Sequence, residues 1–332
     1  MTRMALYPKH VQESLNGVKT VGIRTYDGGK VCTEGRGGWS VREYFSYGNK
    51  NGLDSPFMFP KVISGERYLG NVKFWKNACY DLPEAYDFHG FQMIAKDWKG
   101  ESSSFVFDET GYPLLPHNGD VVFDPDIDGG KLLVRENGLW AVMDGLFEWE
   151  FSFRKYINRY SCAYVSGEPN IVSILLGAND FQSKICAEQD INCYLRGIQT
   201  MIDAIKRYDS SIKIIINLPI TGASQDAWGI RTGCNGNSEI YRRNMQMVGK
   251  EILKRWDNGS SEMQGIYVCA MLIGLDTDNS FDTVMEQVNE YCTKEVERQE
   301  NWVHPNLAGN KQMGDFLAAV LQNIRNGIIR GA

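Results

Sequence analysis

Apolar residues in the C-terminal half of the chain switch between short continuous runs and helical periodicity. Residues 170–176 and 212–218 are apolar, β-branched runs of strand length, typical of strands buried on both faces of a parallel sheet. Between them lies a set of apolar positions at helical spacing: Ile191, Leu195, Ile198, Ile202 and Ile205. A helix over 241–256, a strand over 266–272 and a terminal helix through Met313 and Leu317 continue the series. The pattern predicts an α/β fold with a doubly wound parallel sheet.

The N-terminal segment predicts a helix, a strand and a glycine-rich loop. Apolar positions over 4–15 have weak helical spacing, and residues 18–25 form a strand-like run that would join the parallel sheet. Residues 33–39 (Thr-Glu-Gly-Arg-Gly-Gly-Trp) are a glycine-dense loop. The following Ser-Val-Arg-Glu at 40–43 fits a capping box, so a second helix is expected to begin there.

The chain changes character over residues 48–145, where Gly, Pro, Asp and aromatic residues replace the regular periodicity. We expect a β-rich inserted subdomain there, with the α/β core formed by 1–47 and 146–332. Three short strand-like runs support it: 104–107, 121–123 and 132–134.

Composition narrows the classes of function. The chain has 332 residues, 43% hydrophobic and 23% charged, with a net charge of −6 and no block of Lys or Arg. A nucleic-acid partner is therefore not expected, and a neutral or sugar-like small molecule fits better. No apolar run is long enough to predict a membrane span. The eight cysteines are scattered without a Cys-x-x-Cys pair, which favours a reduced, cytoplasmic compartment.

One acidic stretch resembles the start of a calcium loop. Residues 124–129 read Asp-Pro-Asp-Ile-Asp-Gly, but the closing glutamate of such a loop would fall at Arg135. An acidic turn between two strands explains the stretch better, so we expect no metal and no cofactor.

Three loops carry residues able to do acid–base or oxyanion chemistry. Gly38 lies in the glycine loop, Asn179 follows the first buried run in Gly-Ala-Asn-Asp at 177–180, and His304 begins His-Pro-Asn before the last helix. Each has an ordinary structural explanation, as a turn glycine, a helix cap or a surface polar residue. Their order along the chain is the informative feature.

These loops resemble blocks two, three and five of the SGNH hydrolase family, the GDSL-like lipases and esterases. The resemblance implies a flavodoxin-like three-layer core and a serine esterase activity on acyl or acetyl esters. It gives His304 the role of general base, and gives the Gly38 amide and the Asn179 side chain that of the oxyanion hole. Asp180 is left as a structural brace of its loop.

Two departures from the family are visible. The Gly-Asp-Ser block that supplies the nucleophile is absent from the sequence, and we expect it to precede Met1, where any signal peptide would also lie. The family usually has Asp three residues before the histidine, whereas this chain has Asn301. An amide orients an imidazole without stabilising its charge. Either a backbone carbonyl orients His304, or Glu300 takes part.

The resemblance predicts an esterase, with carbohydrate acetyl esters as candidate substrates, that is inactive as residues 1–332 because its serine is missing. The alternative is a non-catalytic carbohydrate-binding protein on a degenerate SGNH scaffold. The codons upstream of Met1 separate the two, because an in-frame Gly-Asp-Ser would favour the enzyme.

Overall fold

The computed structural model describes residues 7–36, 38–45, 55–68, 86–88, 91–93, 121–123, 132–136, 139–164, 167–182, 185–225, 238–300 and 303–328. The chain divides into two compact units, considered separately below. The first comprises Met1–Val41, Pro169–Gln199 and Asp209–Ala332, and the second comprises Arg42–Glu168 and Thr200–Tyr208. The second contains the predicted insertion 48–145 and extends beyond it on both sides. The exact limits of the insertion stay a prediction.

The described α-helices are α1 (Tyr7–Ser14), α2 (Val41–Tyr44), α3 (Phe153–Arg159), α4 (Glu188–Tyr208), α5 (Ser238–Trp256), α6 (Gly259–Met263) and α7 (Leu307–Arg325). The described strands are β1 (Arg24–Tyr26), β2 (Val31–Thr33), β3 (Met58–Tyr68), β4 (Tyr86–Phe88), β5 (Phe91–Met93), β6 (Val121–Phe123), β7 (Leu132–Glu136), β8 (Leu139–Phe151), β9 (Ile171–Ile174), β10 (Lys213–Asn217), β11 (Ile266–Cys269), β12 (Thr283–Asn289) and β13 (Cys292–Gln299).

The core of the first unit is a parallel sheet of β9, β10 and β11, with β10 in the middle. Ile214 on β10 pairs with Val172 on β9 and with Ile266 on β11. The three strands lie within the apolar runs that predict them and are shorter than those runs. The prediction of an α/β fold with a parallel sheet is therefore confirmed.

Both faces of this sheet are covered. Ile215 is fully buried in a cluster with Val11 of α1 and with Met313 and Leu317 of α7. Its neighbours Ile214 and Ile216 have side chains on the opposite face, because successive residues of a strand alternate, and they are equally buried. This double burial explains why β10 is apolar at every position except its ends.

The helical stripes predicted from spacing are confirmed. The five isoleucine and leucine positions of α4 are all buried, with between 0% and 4% of their surface exposed. Helices α1 and α7 approach closely at Gly314, where an added Cβ would lie 2.6 Å from Cβ of His10 and 2.9 Å from the carbonyl oxygen of Tyr7. The helix–helix contact therefore requires glycine at that position.

The predicted parallel strand over 18–25 is wrong. Only Arg24–Tyr26 is a strand, and it pairs antiparallel with Val31–Thr33 in a hairpin separate from the parallel sheet. The reason is the turn Asp27-Gly28-Gly29, whose residues all have positive φ and which reverses the chain. Lys9 also holds Asp27 in an ion pair of 3.0 Å.

A second hairpin, β12–β13, lies between β11 and α7 in the chain, where the sequence pattern predicts no strands. Its residues are mostly exposed, with polar and charged side chains interrupting the alternation that would have indicated strands. Its last residue, Gln299, is an exception because only 1% of its surface is exposed.

The second unit contains a four-stranded antiparallel sheet in the order β3-β8-β7-β6 and a separate pair, β4-β5. The predicted strands at 121–123 and 132–134 are confirmed, whereas the one at 104–107 and the acidic stretch 124–129 lie outside the described residues. An aromatic cluster anchors the start of β3: the Phe57 ring stacks on those of Phe151 and Tyr156 at centroid distances of 5.1 and 4.1 Å.

Candidate functional site

The two predicted oxyanion residues lie in adjoining loops. Asn179, which follows the carboxyl end of β9, donates a hydrogen bond from Nδ2 to the carbonyl oxygen of Trp39 at 3.0 Å. Gly38, the residue before Trp39, is exposed and has φ of +80°, in the left-handed region that favours glycine. The Asn179 side chain is therefore tied directly to the glycine loop.

The orientation of the Asn179 amide is fixed on both sides. Its Oδ1 accepts a hydrogen bond from Nε2 of Gln182, while Nδ2 is held by the Trp39 carbonyl. A primary amide has two N–H donors on its nitrogen, and the Trp39 carbonyl occupies one of them. The second N–H is the group that an oxyanion could use.

Asp180 also connects the loop after β9 to the glycine loop, which agrees with the structural role predicted for it. Both of its carboxylate oxygens accept from the backbone N–H of Val41, at 3.0 and 3.2 Å. Val41 is the first residue of α2, so the bond satisfies an N–H that has no partner within the helix. The loops 35–41 and 177–180 are thus joined at two adjacent points.

The loop after β9 also packs against the loop after β10. Gly177 has φ of +119°, and an added Cβ there would lie 2.6 Å from Cγ of Pro219. Tyr194 of α4 donates its hydroxyl hydrogen to the carbonyl oxygen of Leu176 at 3.1 Å. Burial, with a smaller effect of the Asp180 charge, raises the pKa of Tyr194, so its hydroxyl remains a donor at neutral pH.

His304 lies in a loop anchored to the segment that follows β11. The N–H of Asn306 donates to the carbonyl oxygen of Ser280 at 2.8 Å, and Ser280 is fully buried. Asn306 is also the N-cap of α7, where its Oδ1 accepts from the N–H of Gly309 at 3.1 Å. Asn310 completes the anchor by donating to the carbonyl oxygen of Pro305 at 2.7 Å.

The imidazole of His304 suits proton acceptance. His304 reaches the protein surface, but neighbouring atoms cover part of its ring. This partial burial disfavours the charged imidazolium and lowers the pKa of His304 below the ordinary value of 6.5. The neutral form therefore predominates at pH 7 and can take a proton from a neighbouring hydroxyl.

Gln299, which the sequence analysis missed, joins three segments at this edge of the sheet. Its Nε2 donates to the carbonyl oxygens of Thr277 and Asp278, at 2.7 and 2.9 Å, in the segment after β11. Its Oε1 accepts from the N–H of Gln225 at 2.8 Å, in the loop after β10. Gln299 thus fixes the chain that leads to His304 relative to both loops.

The structure brings Gly38 and Asn179 together, and it places the His304 loop on the segment that follows the carboxyl end of β11. Since the three parallel strands end at one edge of the sheet, the Asn179 loop after β9 and the segment after β11 belong to that edge. Convergence of His304 with Asn179 on one pocket stays a prediction. Asn301 lies outside the described residues.

No helix in the described ranges is long and apolar enough to cross a membrane. Within the same ranges, no group of three or more His, Cys, Asp or Glu side chains is arranged to hold a metal ion.

No family model matches the chain, and no curated protein matches it. Among solved structures, it is similar to a crystal structure described as a possible lipase from Chitinophaga pinensis. The two share 16% identity over 48% of this chain and 74% of that one, with a TM-score of 0.30.

Proposed function

We propose that this chain carries the oxyanion-stabilising and general-base residues of an SGNH-type ester hydrolase with a flavodoxin-like core. The substrates would be acyl or acetyl esters, with acetylated carbohydrates as candidates. The observation that carries the proposal is the hydrogen bond from Asn179 to the Trp39 carbonyl beside Gly38. It fixes a side-chain amide next to a glycine loop at the carboxyl edge of the sheet.

The proposed reaction divides the work among three groups. A serine hydroxyl attacks the acyl carbonyl while His304 accepts its proton, so a tetrahedral intermediate with a negative oxygen forms. That oxygen receives hydrogen bonds from the second Nδ2–H of Asn179 and from the N–H of Gly38. As the intermediate collapses, His304 returns the proton to the leaving alcohol, and water then hydrolyses the acyl-enzyme by the same route.

The sequence contains no Gly-Asp-Ser, the motif that supplies the nucleophilic serine in the family it resembles. The proposal therefore assigns the nucleophile to a segment encoded outside this sequence. In the same mechanism Asn301, three residues before His304 in the sequence, adds no negative charge beside the base, so a backbone carbonyl or Glu300 would orient the imidazole.

The experiment is hydrolysis of p-nitrophenyl acetate by protein expressed from the native gene with the codons upstream of Met1. We expect serine-dependent turnover that Asn179→Ala reduces by about 10²- to 10³-fold, because one oxyanion donor is lost. His304→Ala should abolish turnover because the general base is lost.

The matched control is Asn326→Ala, which removes an asparagine at the end of α7, away from the loops of the site. It should leave the rate within about twofold of the parent, as surface changes usually do. Turnover that survives both Asn179→Ala and His304→Ala would contradict the proposal.

A further inference from the structure

An arginine occupies the glycine loop two residues before Gly38. The guanidinium carbon of Arg36 lies 4.8 Å from the centroid of the Trp39 ring, within the range of a cation–π contact. Trp39 is itself buried, and its carbonyl oxygen receives the Asn179 hydrogen bond. The positive charge is therefore held next to the residue that contacts the Asn179 amide.

The stacking leaves at least one N–H donor of Arg36 without a partner among the described residues. Nε of Arg36 is buried and has no hydrogen-bond partner among the described residues. No carboxylate in the described part of the chain forms an ion pair with its guanidinium. A guanidinium has five N–H donors in its plane, and contact with a ring uses its face and not its edge.

Two other stacked arginines show the usual arrangement. Arg154 lies over the Tyr208 ring and donates to the carbonyl oxygens of Arg207 and Tyr208, both at 3.4 Å. Arg255 lies over the Trp256 ring and donates to Oε1 of Gln199 at 3.4 Å. In these two described cases stacking accompanies hydrogen bonds from the edge of the guanidinium, and Arg36 differs from them beside the candidate site.

We propose that Arg36 binds a carboxylate of the substrate, so that the site prefers anionic esters. The proposal rests on the ester hydrolase function proposed above and names its substrate class. The planar fork of a guanidinium matches the two oxygens of a carboxylate, and prior stacking on Trp39 reduces the entropy lost on binding.

A singly charged group fits this position better than a dianionic phosphate. Glu34 and Asp180 add negative charge in the same loops: Glu34 accepts from the N–H of Ile23 at 2.6 Å, and Asp180 accepts from Val41. One guanidinium balances one negative charge, whereas a dianion would be left with an uncompensated charge near two carboxylates.

The test measures ligand binding to the 332-residue chain by isothermal titration calorimetry, which requires no nucleophile. The probes are monoethyl succinate, which carries one carboxylate, and diethyl succinate, which is neutral and nearly the same shape. We expect the monoester to bind at least about tenfold more tightly, as one charge-assisted pair implies. In Arg36→Gln the ratio of the two dissociation constants should fall toward one, and Arg36→Lys should give an intermediate ratio.

Arg255→Gln is the matched control, because it removes an arginine stacked on a tryptophan far along the chain and should retain the full ratio. The proposal is overturned if Arg36→Gln retains the preference, if the parent shows none, or if neither ester binds. Tighter, Arg36-dependent binding of ethyl phosphate would also overturn it, in favour of a phosphate ligand.

The hydrolysis assay separates the two proposals. If anionic preference fails while hydrolysis still depends on Asn179 and His304, only the Arg36 assignment is wrong. If anionic preference holds while hydrolysis fails, the site binds carboxylates and the ester hydrolase function is wrong.

Discussion

Replacing Gln299 by alanine should destabilise the first unit and release the loop of His304. The substitution removes both Nε2 donors and the Oε1 acceptor, while the backbone N–H of residue 299 keeps its bond to Oε1 of Gln225. The carbonyl oxygen of Thr277 remains satisfied by the N–H of Ser224 at 3.0 Å. The carbonyl oxygen of Asp278 and the N–H of Gln225 lose their partners among the described residues.

The magnitude follows from those two groups. Gln299 is 1% exposed, whereas Asp278 and Gln225 are exposed, so water can partly replace the hydrogen bonds that these two residues lose. Each lost bond should therefore cost its net value of about 0.5–1.5 kcal/mol, and the two together should lower the free energy of unfolding by about 1–3 kcal/mol. Opening of the segment should also bring the pKa of the His304 imidazole back toward its ordinary value.

Urea denaturation followed by circular dichroism measures the first effect, and an NMR titration of the His304 ring measures the second. The matched control is Gln287→Ala, at an exposed position on the same hairpin, which should change the free energy of unfolding by less than about 0.5 kcal/mol. A similar loss in both variants, or an unaltered His304 titration in Gln299→Ala, would refute the role given to Gln299.

Two further predictions concern helix packing and pH. Gly314→Ala should lower the free energy of unfolding by about 1–3 kcal/mol, because the added Cβ would clash with His10 and the Tyr7 carbonyl. Gly249→Ala, whose added Cβ meets open space, should be neutral or stabilising. Urea denaturation compares the two variants. His304 should titrate below 6.5 by NMR. Because the pKa of His304 is lower in the folded protein than in the unfolded chain, the unfolded chain binds more protons at about pH 6. The free energy of unfolding should therefore fall as the pH drops through 6.5, and it should fall less in His304→Asn. An equal fall in the parent and in His304→Asn would contradict this prediction.

Sequence patterns predicted the parts of the fold where one physical signal dominates. The runs at β9, β10 and β11 are apolar because β10 is buried on both faces and its neighbours on at least one. The stripe on α4 keeps its helical spacing because that whole face is buried. The hairpin β1–β2 was not predicted, because the apolar run over 18–25 is typical of a buried strand, whereas the Asp27-Gly28-Gly29 turn determines the structure there.

The sequence singled out candidate site residues where their loops resemble blocks of a known family. Asn179 and His304 were assigned in that way, and their convergence on one pocket stays a prediction. Gln299 and Arg36 gave no such signal, because their roles depend on partners distant in sequence or on the ring of a neighbour. Gln225, for example, is 74 positions from Gln299, and no local pattern connects them.

Labelling with an organophosphate tests the central claim most directly, because it reports the nucleophile, the base and the oxyanion donors in one measurement. Protein expressed from the native gene with its upstream codons would be treated with paraoxon and analysed by mass spectrometry. The account predicts one diethylphosphoryl group on a serine encoded before Met1, with labelling lost in His304→Ala and slowed in Asn179→Ala. Labelling of a serine within residues 1–332, or labelling that ignores both substitutions, would contradict it.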